Sequence, residues 1–525
     1  MKKIINIGLI AVLAMMSACT DLDVQPRNDL TPDVFFSDDA AYERFLTRIY
    51  AGLAVTGQQG PAGNADIKSL DEGFSSYLRQ YWQLQELPTD EAIIAWNDDG
   101  LPDLVTQGWS STNQFVRAMY YRVFFQVSLA NEFLRESTPE KLDARGVSKE
   151  VVDQMATYRA EARFMRALSY WHGIDFFGDI PFYTEDQVIG STAPTQFSRR
   201  EVFNFIVNEL NEIESDMLEA GTAPYGRADK GALWMLQAKL YLNGEVYTGG
   251  ETYWNEAVEA CNKIIESGAY TLMDEYHHNF LADNDRSTEI IWSVNFDGDA
   301  TQTFGGTTYL VHAAIGGAMN AEDYGVNNGW GGLRTLPSLV DRFPDETGNI
   351  DERAIFFTEG QTKAVEAINE FTNGYTVPKY QNVTSEGVAG SDPTFADTDY
   401  PMFRFGEVHL TYAEAVLRGA SNGDLGTAVA YINALRQRAY NNDAGNISEA
   451  DLNLDFILDE RSRELYWEGV RRTDLIRFGQ FTENGTWAWK GNVQEGRTTS
   501  PHLNLYPIPA EELLANDNLV QNQGY

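Results

Sequence analysis

Apolar side chains recur every three or four positions along much of this chain, the spacing that places them on one face of an α-helix. The repeat over 151–174 predicts one long helix, and a second repeat predicts another over 201–219. The residues that set the first repeat are Met155, Tyr158, Ala162, Met165, Leu168 and Ser169, and those of the second are Phe205, Ile206, Leu210, Ile213 and Met217. The pattern therefore predicts a mainly α-helical fold.

Two pairs of shorter helices are predicted, each joined by a turn. One pair covers 230–242 and 254–267, and the other covers 407–419 and 425–438. Alanines at close-packing positions are typical of tetratricopeptide helix pairs. They are Ala238, Ala257 and Ala260 in the first pair and Ala413, Ala415, Ala428 and Ala434 in the second. Because the pairs are not in tandem, we expect them to buttress a larger irregular body, and not to form a solenoid.

The pattern changes between about 279 and 401, where glycine pairs interrupt short apolar runs such as 290–294. Such punctuation is typical of turns and irregular loops. The stretch 90–108 has the same character. Structured loops on a rigid scaffold often carry binding function, so both stretches are candidates for a ligand site.

The N-terminus has the features of a secretory signal peptide. Lys2 and Lys3 precede an apolar run over 4–16, and Ser17-Ala18-Cys19 follows with small residues and a thiol. The run is too short for a transmembrane helix, which needs about 20 apolar residues, although a membrane anchor is the alternative interpretation. Met16-Ser17-Ala18-Cys19 resembles a bacterial lipobox, which implies cleavage after residue 18 and lipidation of Cys19. The acidic residues just after the cysteine resemble export signals of surface lipoproteins.

The net charge restricts the classes of possible partner, and the cysteine content restricts how the fold can be stabilised. The 39 basic and 77 acidic residues give a formal charge of −38. Nucleic acid is excluded as a partner because binding it needs clustered Lys and Arg, and a negative field also disfavours polyanions. Neutral ligands such as sugars remain. With Cys19 lipidated, Cys261 has no disulfide partner, so a packed core must stabilise the fold.

Local catalytic motifs are absent from the sequence. It has no Walker A loop, no dinucleotide-binding glycine loop, no Gly-x-Ser-x-Gly elbow and no His-Glu-x-x-His pair. A glycosidase needs only two carboxylates placed by the fold, so that alternative stays open. The stretch 459–479 is dense in charge, with Glu460, Glu464 and Glu468 spaced four apart. We interpret it as a helix with exposed Glu–Arg pairs worth a few tenths of a kcal/mol each; catalytic carboxylates are the alternative.

That same stretch, DERSRELYWEGVRRTDLIRFG, closely resembles the signature helix of the SusD/RagB family of outer-membrane lipoproteins. Further matches lie at 159–181, 227–242, 400–417, 506–509 and 521–525. The resemblance implies a SusD-like fold over 19–525, in which tetratricopeptide-like helix pairs pack against a loop-rich ligand-binding region. We divide it into an N-terminal half (19–225), a helix-pair unit (226–278), the loop-rich region (279–400) and a C-terminal helical part (401–525), after a signal peptide over 1–18.

The resemblance is strongest to a starch-binding member of the family, through 86–96, 223–230, 246–249 and 305–311. It implies a protein that captures starch or malto-oligosaccharides at the cell surface without hydrolysing them. A TonB-dependent porin of the SusC type would then import the ligand. The alternatives are a different glycan, a peptide ligand as in RagB-like members, and a surface glycoside hydrolase.

The binding residues implied by the resemblance are Arg79, Trp96, Asp99, Phe304 and Trp330. Trp96 and Trp330 match stacking indoles, Phe304 replaces a tyrosine, Arg79 matches a hydrogen-bonding arginine, and Asp99 replaces an asparagine. Flat rings cover the C–H face of a glucose ring, while polar groups bind the hydroxyls at its edge. An arbitrary tryptophan is usually a core residue, but these two stand among polar and glycine-rich neighbours, which favours exposure.

The sequence departs from the starch-binding pattern at Ile94, where that member has a further tryptophan. A shorter row of rings puts affinity in question more than the class of ligand. Asp285, Asp397 and Asp399 resemble the carboxylates of a structural calcium site, and oxygen ligands suit this hard cation. The alternative for Asp397-Thr398-Asp399 is a capped turn.

Overall fold

The structure is a computed structural model that describes residues 31–57, 60–61, 63–68, 70–187, 190 and 192–525. The predicted signal peptide and Cys19 therefore lie outside the described residues. Within the described ranges, no helix combines the length and the apolar character needed to cross a membrane.

Helices dominate the described chain, and the strands are short. The helices are α1 (Pro32–Phe35), α2 (Ala40–Ala54), α3 (Tyr77–Glu86), α4 (Leu101–Thr106), α5 (Gln114–Glu136), α6 (Pro139–Arg145), α7 (Lys149–Phe177), α8 (Arg199–Ile213), α9 (Lys230–Leu242), α10 (Gly244–Thr248), α11 (Trp254–Ser267), α12 (Gly306–Ala313), α13 (Pro337–Val340), α14 (Phe405–Arg418), α15 (Leu425–Tyr440), α16 (Leu454–Leu465), α17 (Arg471–Arg477) and α18 (Ala510–Ala515). The strands are β1 (Ile93–Ile94), β2 (Ile180–Phe182), β3 (Thr195–Phe197), β4 (Ile290–Val294), β5 (Leu333–Arg334) and β6 (Tyr400–Arg404).

The helices predicted from periodicity are present. The long helix α7 ends at Phe177 and is followed by Gly178, whose φ of 71° suits glycine after a helix C-terminus. The capping box of Ser198 and Glu201 starts α8, which ends at Ile213, six residues before the predicted end. The helices α9 and α11 have the predicted bounds.

The two predicted helix pairs are distant in sequence but adjacent in the fold. The helices α9 and α11 pack together, α14 packs on α15, and α11 also packs on α14, so the four helices form one block. Ala257 on α11 and Ala413 on α14 are fully buried, as close helix packing requires. The tetratricopeptide-like character of the pairs and the division into four segments remain predictions.

The loop-rich region is mostly irregular, as predicted, but three helices in the loop stretches were not anticipated. They are α12 and α13 within 279–401 and α4 within 90–108. Three two-stranded antiparallel ladders tie distant segments together: β1 with β5, β2 with β3, and β4 with β6. The β1–β5 ladder joins the two loop stretches, because Ile93 pairs with Arg334 and Ile94 with Leu333.

The prediction of one helix with exposed ion pairs over 459–479 was wrong. The segment forms α16 and α17, separated by a turn in which Trp467 has a φ of 62° and Gly469 a φ of 72°. The indole N–H of Trp82 donates to the carbonyl oxygen of Trp467 at 2.9 Å and helps to fix this turn. Most of the Glu and Arg side chains are buried, and they pair both within the segment and with arginines from other parts of the chain.

Glu464 is the centre of this buried charge network. One carboxylate oxygen of Glu464 accepts from Arg404 Nη1 at 2.6 Å and also from Arg438, while the other lies 3.0 Å from Arg353 Nη1. Arg404 is the last residue of β6, and its Nη1 also lies 2.8 Å from Glu289. The network therefore ties α16, α15 and β6 to the loop that carries Arg353.

Replacing Glu464 by Gln is expected to lower the free energy of unfolding by about 3–5 kcal/mol, because three buried guanidinium groups would lose their shared carboxylate. Urea denaturation of the wild type and the variant measures this change. The control is Asp153→Asn, which breaks an exposed ion pair with Lys149 and should change the free energy by less than about 0.5 kcal/mol. Equal effects of the two substitutions would contradict the buried network.

Glu460 makes the stability of the folded protein depend on pH, and its pKa shift sets the direction of this dependence. Burial alone would raise the pKa of Glu460, but Arg353, Arg463 and Arg436 outweigh it and lower the pKa from 4.5 to about 2. A carboxyl group with a lower pKa in the folded state contributes stability that is complete above its unfolded pKa and lost as the pH falls through the folded pKa.

We therefore expect the unfolding free energy to rise between about pH 2 and pH 4.5, and Glu460→Gln to make this rise less steep. Denaturant titrations at several pH values across this window measure both slopes. An unchanged slope in the variant would show that Glu460 does not carry this dependence.

Candidate functional site

Trp96 and Trp330 lie next to each other although they are 234 residues apart in sequence. Their ring centroids are 6.4 Å apart, the planes are tilted by 41°, and both indoles are partly exposed. The β1–β5 ladder places them there, extended by a hydrogen bond from Ala95 N–H to the carbonyl oxygen of Gly332 at 2.9 Å. A Cβ atom at Gly332 would lie 2.6 Å from Cε2 of Trp96, so glycine is required for this close approach.

His312, near the end of α12, packs against the indole of Trp330. The imidazole stacks on the indole with a centroid distance of 4.6 Å and an angle of 19°. The Trp330 N–H donates to the carbonyl oxygen of His312 at 2.8 Å. The ring nitrogens of His312 lie 2.7 Å from the carbonyl oxygen of Asn328 and 2.9 Å from that of Thr394. Burial lowers the pKa of His312, which favours the neutral imidazole.

Phe304 adds a third ring to the row. Its centroid lies 6.3 Å from that of Trp330, with a tilt of 56°, and its other neighbour is Phe395 at 5.3 Å. Trp96, Trp330 and Phe304 are thus partly exposed rings whose planes turn from one to the next. We call these three rings the aromatic cradle.

The aromatic cradle borders a cavity of about 510 Å³. Four of the five residues predicted to bind ligand line it: Arg79, Trp96, Phe304 and Trp330. This volume is within the usual range of small-molecule sites, about 300–1,000 Å³. A larger cavity of about 600 Å³ lies near α6 and α7, but none of the described residues that line it is aromatic.

Arg79 provides hydrogen-bond donors at the cavity. It lies in α3, which begins after Ser76, and its side chain packs between the rings of Phe74 and Tyr309, at 4.1 and 4.2 Å. Nη1 donates to the carbonyl oxygen of Gly73 at 2.9 Å, whereas Nε and Nη2 are buried without a partner. Burial lowers the pKa of Arg79 to about 10, so the group is still charged at neutral pH.

Glu72 provides an acceptor at the same cavity, and sequence reasoning missed it. Its Oε1 accepts hydrogen bonds from Thr56 Oγ1 at 2.5 Å and Thr303 Oγ1 at 3.3 Å, while Oε2 is buried without a partner. Burial raises the pKa of Glu72. Buried donors and acceptors without partners are costly unless something binds them, so Arg79 and Glu72 both favour a polar ligand.

Asp99 does not line the cavity. Its side chain is exposed, and its backbone carbonyl oxygen accepts from Gln114 Nε2 at 2.6 Å. The neighbouring Asp98 lines the cavity instead, together with Asp71. Neither carboxylate stands out by spacing or motif in the sequence, because the loops decide which acidic residue faces inward. Ile94, the departure noted above, is fully buried in β1 and does not line the cavity.

The three candidate calcium ligands do not form a cation site as they are placed. Asp397 accepts from the N–H of Gly298 at 2.7 Å and from Ser391 Oγ at 2.6 Å. Asp399 accepts from the N–H of Phe296 at 2.7 Å and from the Tyr225 hydroxyl, whereas Asp285 is exposed.

Within the described residues, no group of three His, Cys, Asp or Glu side chains could hold a metal ion. The hydrogen bonds of Asp397 fit the alternative of a capped turn. Burial raises the pKa of Asp399 to about 7. Calcium binding therefore remains a prediction from the resemblance, without support from this geometry.

The sequence and the fold both have relatives among known proteins. The model of the SusD family matches residues 348–525. The starch-binding protein SusD of Bacteroides thetaiotaomicron is 36% identical over 100% of this chain and 99% of its own length. The SusD-like protein P25 of Formosa agariphila is 27% identical over 70% of this chain and 73% of its own length.

Solved structures confirm the predicted mainly helical, SusD-like fold. A SusD superfamily protein from Parabacteroides distasonis matches 95% of this chain and 100% of its own, with a TM-score of 0.71 at 20% identity. Surface glycan-binding protein A from Bacteroides thetaiotaomicron, solved in complex with laminarihexaose, matches 92% of this chain and 99% of its own, with a TM-score of 0.70 at 21% identity. With the full-length match to a protein 36% identical, these findings show that the chain belongs to the SusD family.

Proposed function

We propose that this protein is a cell-surface lipoprotein that captures starch or malto-oligosaccharides and passes them to a TonB-dependent porin of the SusC type. The observation that carries the proposal is the aromatic cradle beside the unpartnered polar atoms of Arg79 and Glu72. Rings can stack on sugar faces, and the arginine and the carboxyl group can donate to and accept from hydroxyls. The 36% identity to a starch-binding protein supports the same ligand class.

Non-catalytic capture is part of the proposal. Incubating the purified protein with maltoheptaose should produce no shorter sugars, and their appearance would favour the glycoside hydrolase alternative. A peptide ligand is the other alternative, and the row of partly exposed rings in the aromatic cradle argues for sugar over peptide.

A second candidate ligand is a glucan with a different linkage. A protein with this fold is bound to laminarihexaose, although at 21% identity that likeness shows the fold alone. Phe304 also lacks the hydroxyl that a tyrosine would offer. Affinity electrophoresis in gels that contain amylopectin or laminarin distinguishes the two candidate ligands. Retardation of the protein only by laminarin would overturn starch as the ligand.

The variant Trp330→Ala is expected to weaken binding of maltoheptaose at least about tenfold, a loss of about 1.4 kcal/mol, because the central ring of the aromatic cradle is removed. Isothermal titration calorimetry measures the affinity, and a melting curve verifies the fold. The matched control is Trp234→Ala, at a partly exposed indole on α9 that donates to Glu214 at 2.8 Å, away from the cavity. Equal affinities of Trp330→Ala and the wild type would remove Trp330 from the site.

The lipid anchor can be tested at Cys19. Several acyl chains anchor a protein stably, at about 0.8 kcal/mol per buried methylene. We expect Cys19→Ala to abolish incorporation of labelled fatty acid and to release the protein from the membrane fraction. Cys261→Ala is the control, because Cys261 is buried and should leave anchoring unchanged. Retention of Cys19→Ala in the membrane fraction would contradict lipidation at this residue.

A further inference from the structure

Tyr225 is unusual among the aromatic residues of this protein. Its side chain is 56% exposed, and among the large apolar side chains exposed in the described part of the chain it is the only aromatic one. An exposed ring loses the stabilisation that burial would give, so its position is informative. Its place lies outside the aromatic cradle, since it does not line the same cavity.

The ring of Tyr225 is held in place although it is exposed. Its hydroxyl donates to the carboxylate of Asp399, which also accepts from the backbone of Phe296. The next residue, Gly226, has a φ of 81°, and its carbonyl oxygen accepts from Trp292 Nε1 at 3.1 Å. Both ends of the tyrosine are thus fixed, so a ligand that stacks on the ring has little side-chain freedom to remove.

A second cavity, of about 320 Å³, lies beside this ring. Three aromatic residues line it, Tyr50, Tyr225 and Trp292, and polar side chains complete the lining, among them Glu43, Asn295 and Thr301. Tyr50 donates to Glu161 at 2.7 Å, so its ring is also fixed. Rings together with polar groups are the same combination that marks the first cavity.

The two cavities are neighbours. Thr301 lines the second cavity and Phe304 the first, and their Cα atoms can be at most ~11 Å apart along three residues of chain. Thr303 lies between these two residues in sequence, and its hydroxyl donates to Glu72. Thr56 also donates to Glu72, and it lies two residues after Ala54, a residue that lines the second cavity. The hydrogen-bonded cluster of Thr56, Glu72 and Thr303 is therefore close to both cavities.

We propose that the Tyr225 cavity is a second sugar-contact site, which binds a further part of a gluco-oligosaccharide already held in the aromatic cradle. This inference rests on the proposed function and adds to it a preference for longer chains. A formal charge of −38 disfavours anionic ligands, and the mixed lining favours a ligand with both C–H faces and hydroxyls over a purely apolar one. A trisaccharide bound in the first cavity is too short to make many contacts with Tyr225, whereas a heptasaccharide is long enough to reach the ring.

The test compares maltotriose and maltoheptaose by isothermal titration calorimetry with the wild type, Tyr225→Ala and Tyr225→Phe. We expect Tyr225→Ala to weaken maltoheptaose binding at least about fivefold and to change maltotriose binding by less than about twofold. Tyr225→Phe keeps the ring and should therefore retain most of the difference in affinity between maltoheptaose and maltotriose. A melting curve verifies each fold, and Asn295→Ala, at the rim of the same cavity, is a second variant that should act in the same direction.

The outcomes separate this inference from the proposed function. If the wild type binds maltoheptaose but Tyr225→Ala and Asn295→Ala bind it equally well, the second site is wrong and the proposed function stands. An equal loss for both sugars in Tyr225→Ala would also overturn the second site, because the ring would then act through the first cavity. If the wild type binds neither sugar, both the proposed ligand and the second site fail.

Discussion

The fold depends on a set of charges that are buried where water cannot reach them. Glu464 lies among Arg353, Arg404 and Arg438, which come from a loop, a strand and a helix. Removing such groups from water costs several kcal/mol per ion, and only well-placed partners offset that cost. The loop region must therefore return to one position on the helices, because any other arrangement would leave a charge buried and unpaired. This constraint fixes the position of the loop that carries Arg353.

The aromatic cradle is a product of backbone geometry more than of side-chain packing. Two residue pairs of the β1–β5 ladder bring Trp96 to Trp330, and the absence of a side chain at Gly332 lets the two rings approach. The end of α12 then fixes Trp330 through His312. The indole N–H of Trp96 donates to the carbonyl oxygen of Trp330 at 3.3 Å, and all three rings stay partly exposed. Such a pre-organised surface reduces the entropy lost when a ligand binds.

Local patterns predicted the helices well, because the bounds of α9 and α11 depend on nearby apolar residues and on the glycines around them. They failed at 459–479, where Glu464 looks like a surface residue until partners from distant segments surround it. The resemblance placed Trp96 and Trp330 together, which no local pattern could do. It did not distinguish Asp98 from Asp99, because which of two adjacent carboxylates faces a cavity depends on loop torsions.

The contacts of His312 impose an asymmetry on the loops around the aromatic cradle. A neutral imidazole carries a single N–H, yet backbone carbonyl oxygens stand opposite both of its nitrogens, one from the Asn328 loop and one from the Thr394 loop. At any instant the ring can donate to only one of them. The two loops are also joined directly, because the N–H of Asn327 donates to the carbonyl oxygen of Pro393 at 2.9 Å and Asn327 Nδ2 donates to Thr394 Oγ1 at 2.8 Å. The positions of the loops beside Trp330 therefore do not rest on the single N–H of His312 alone.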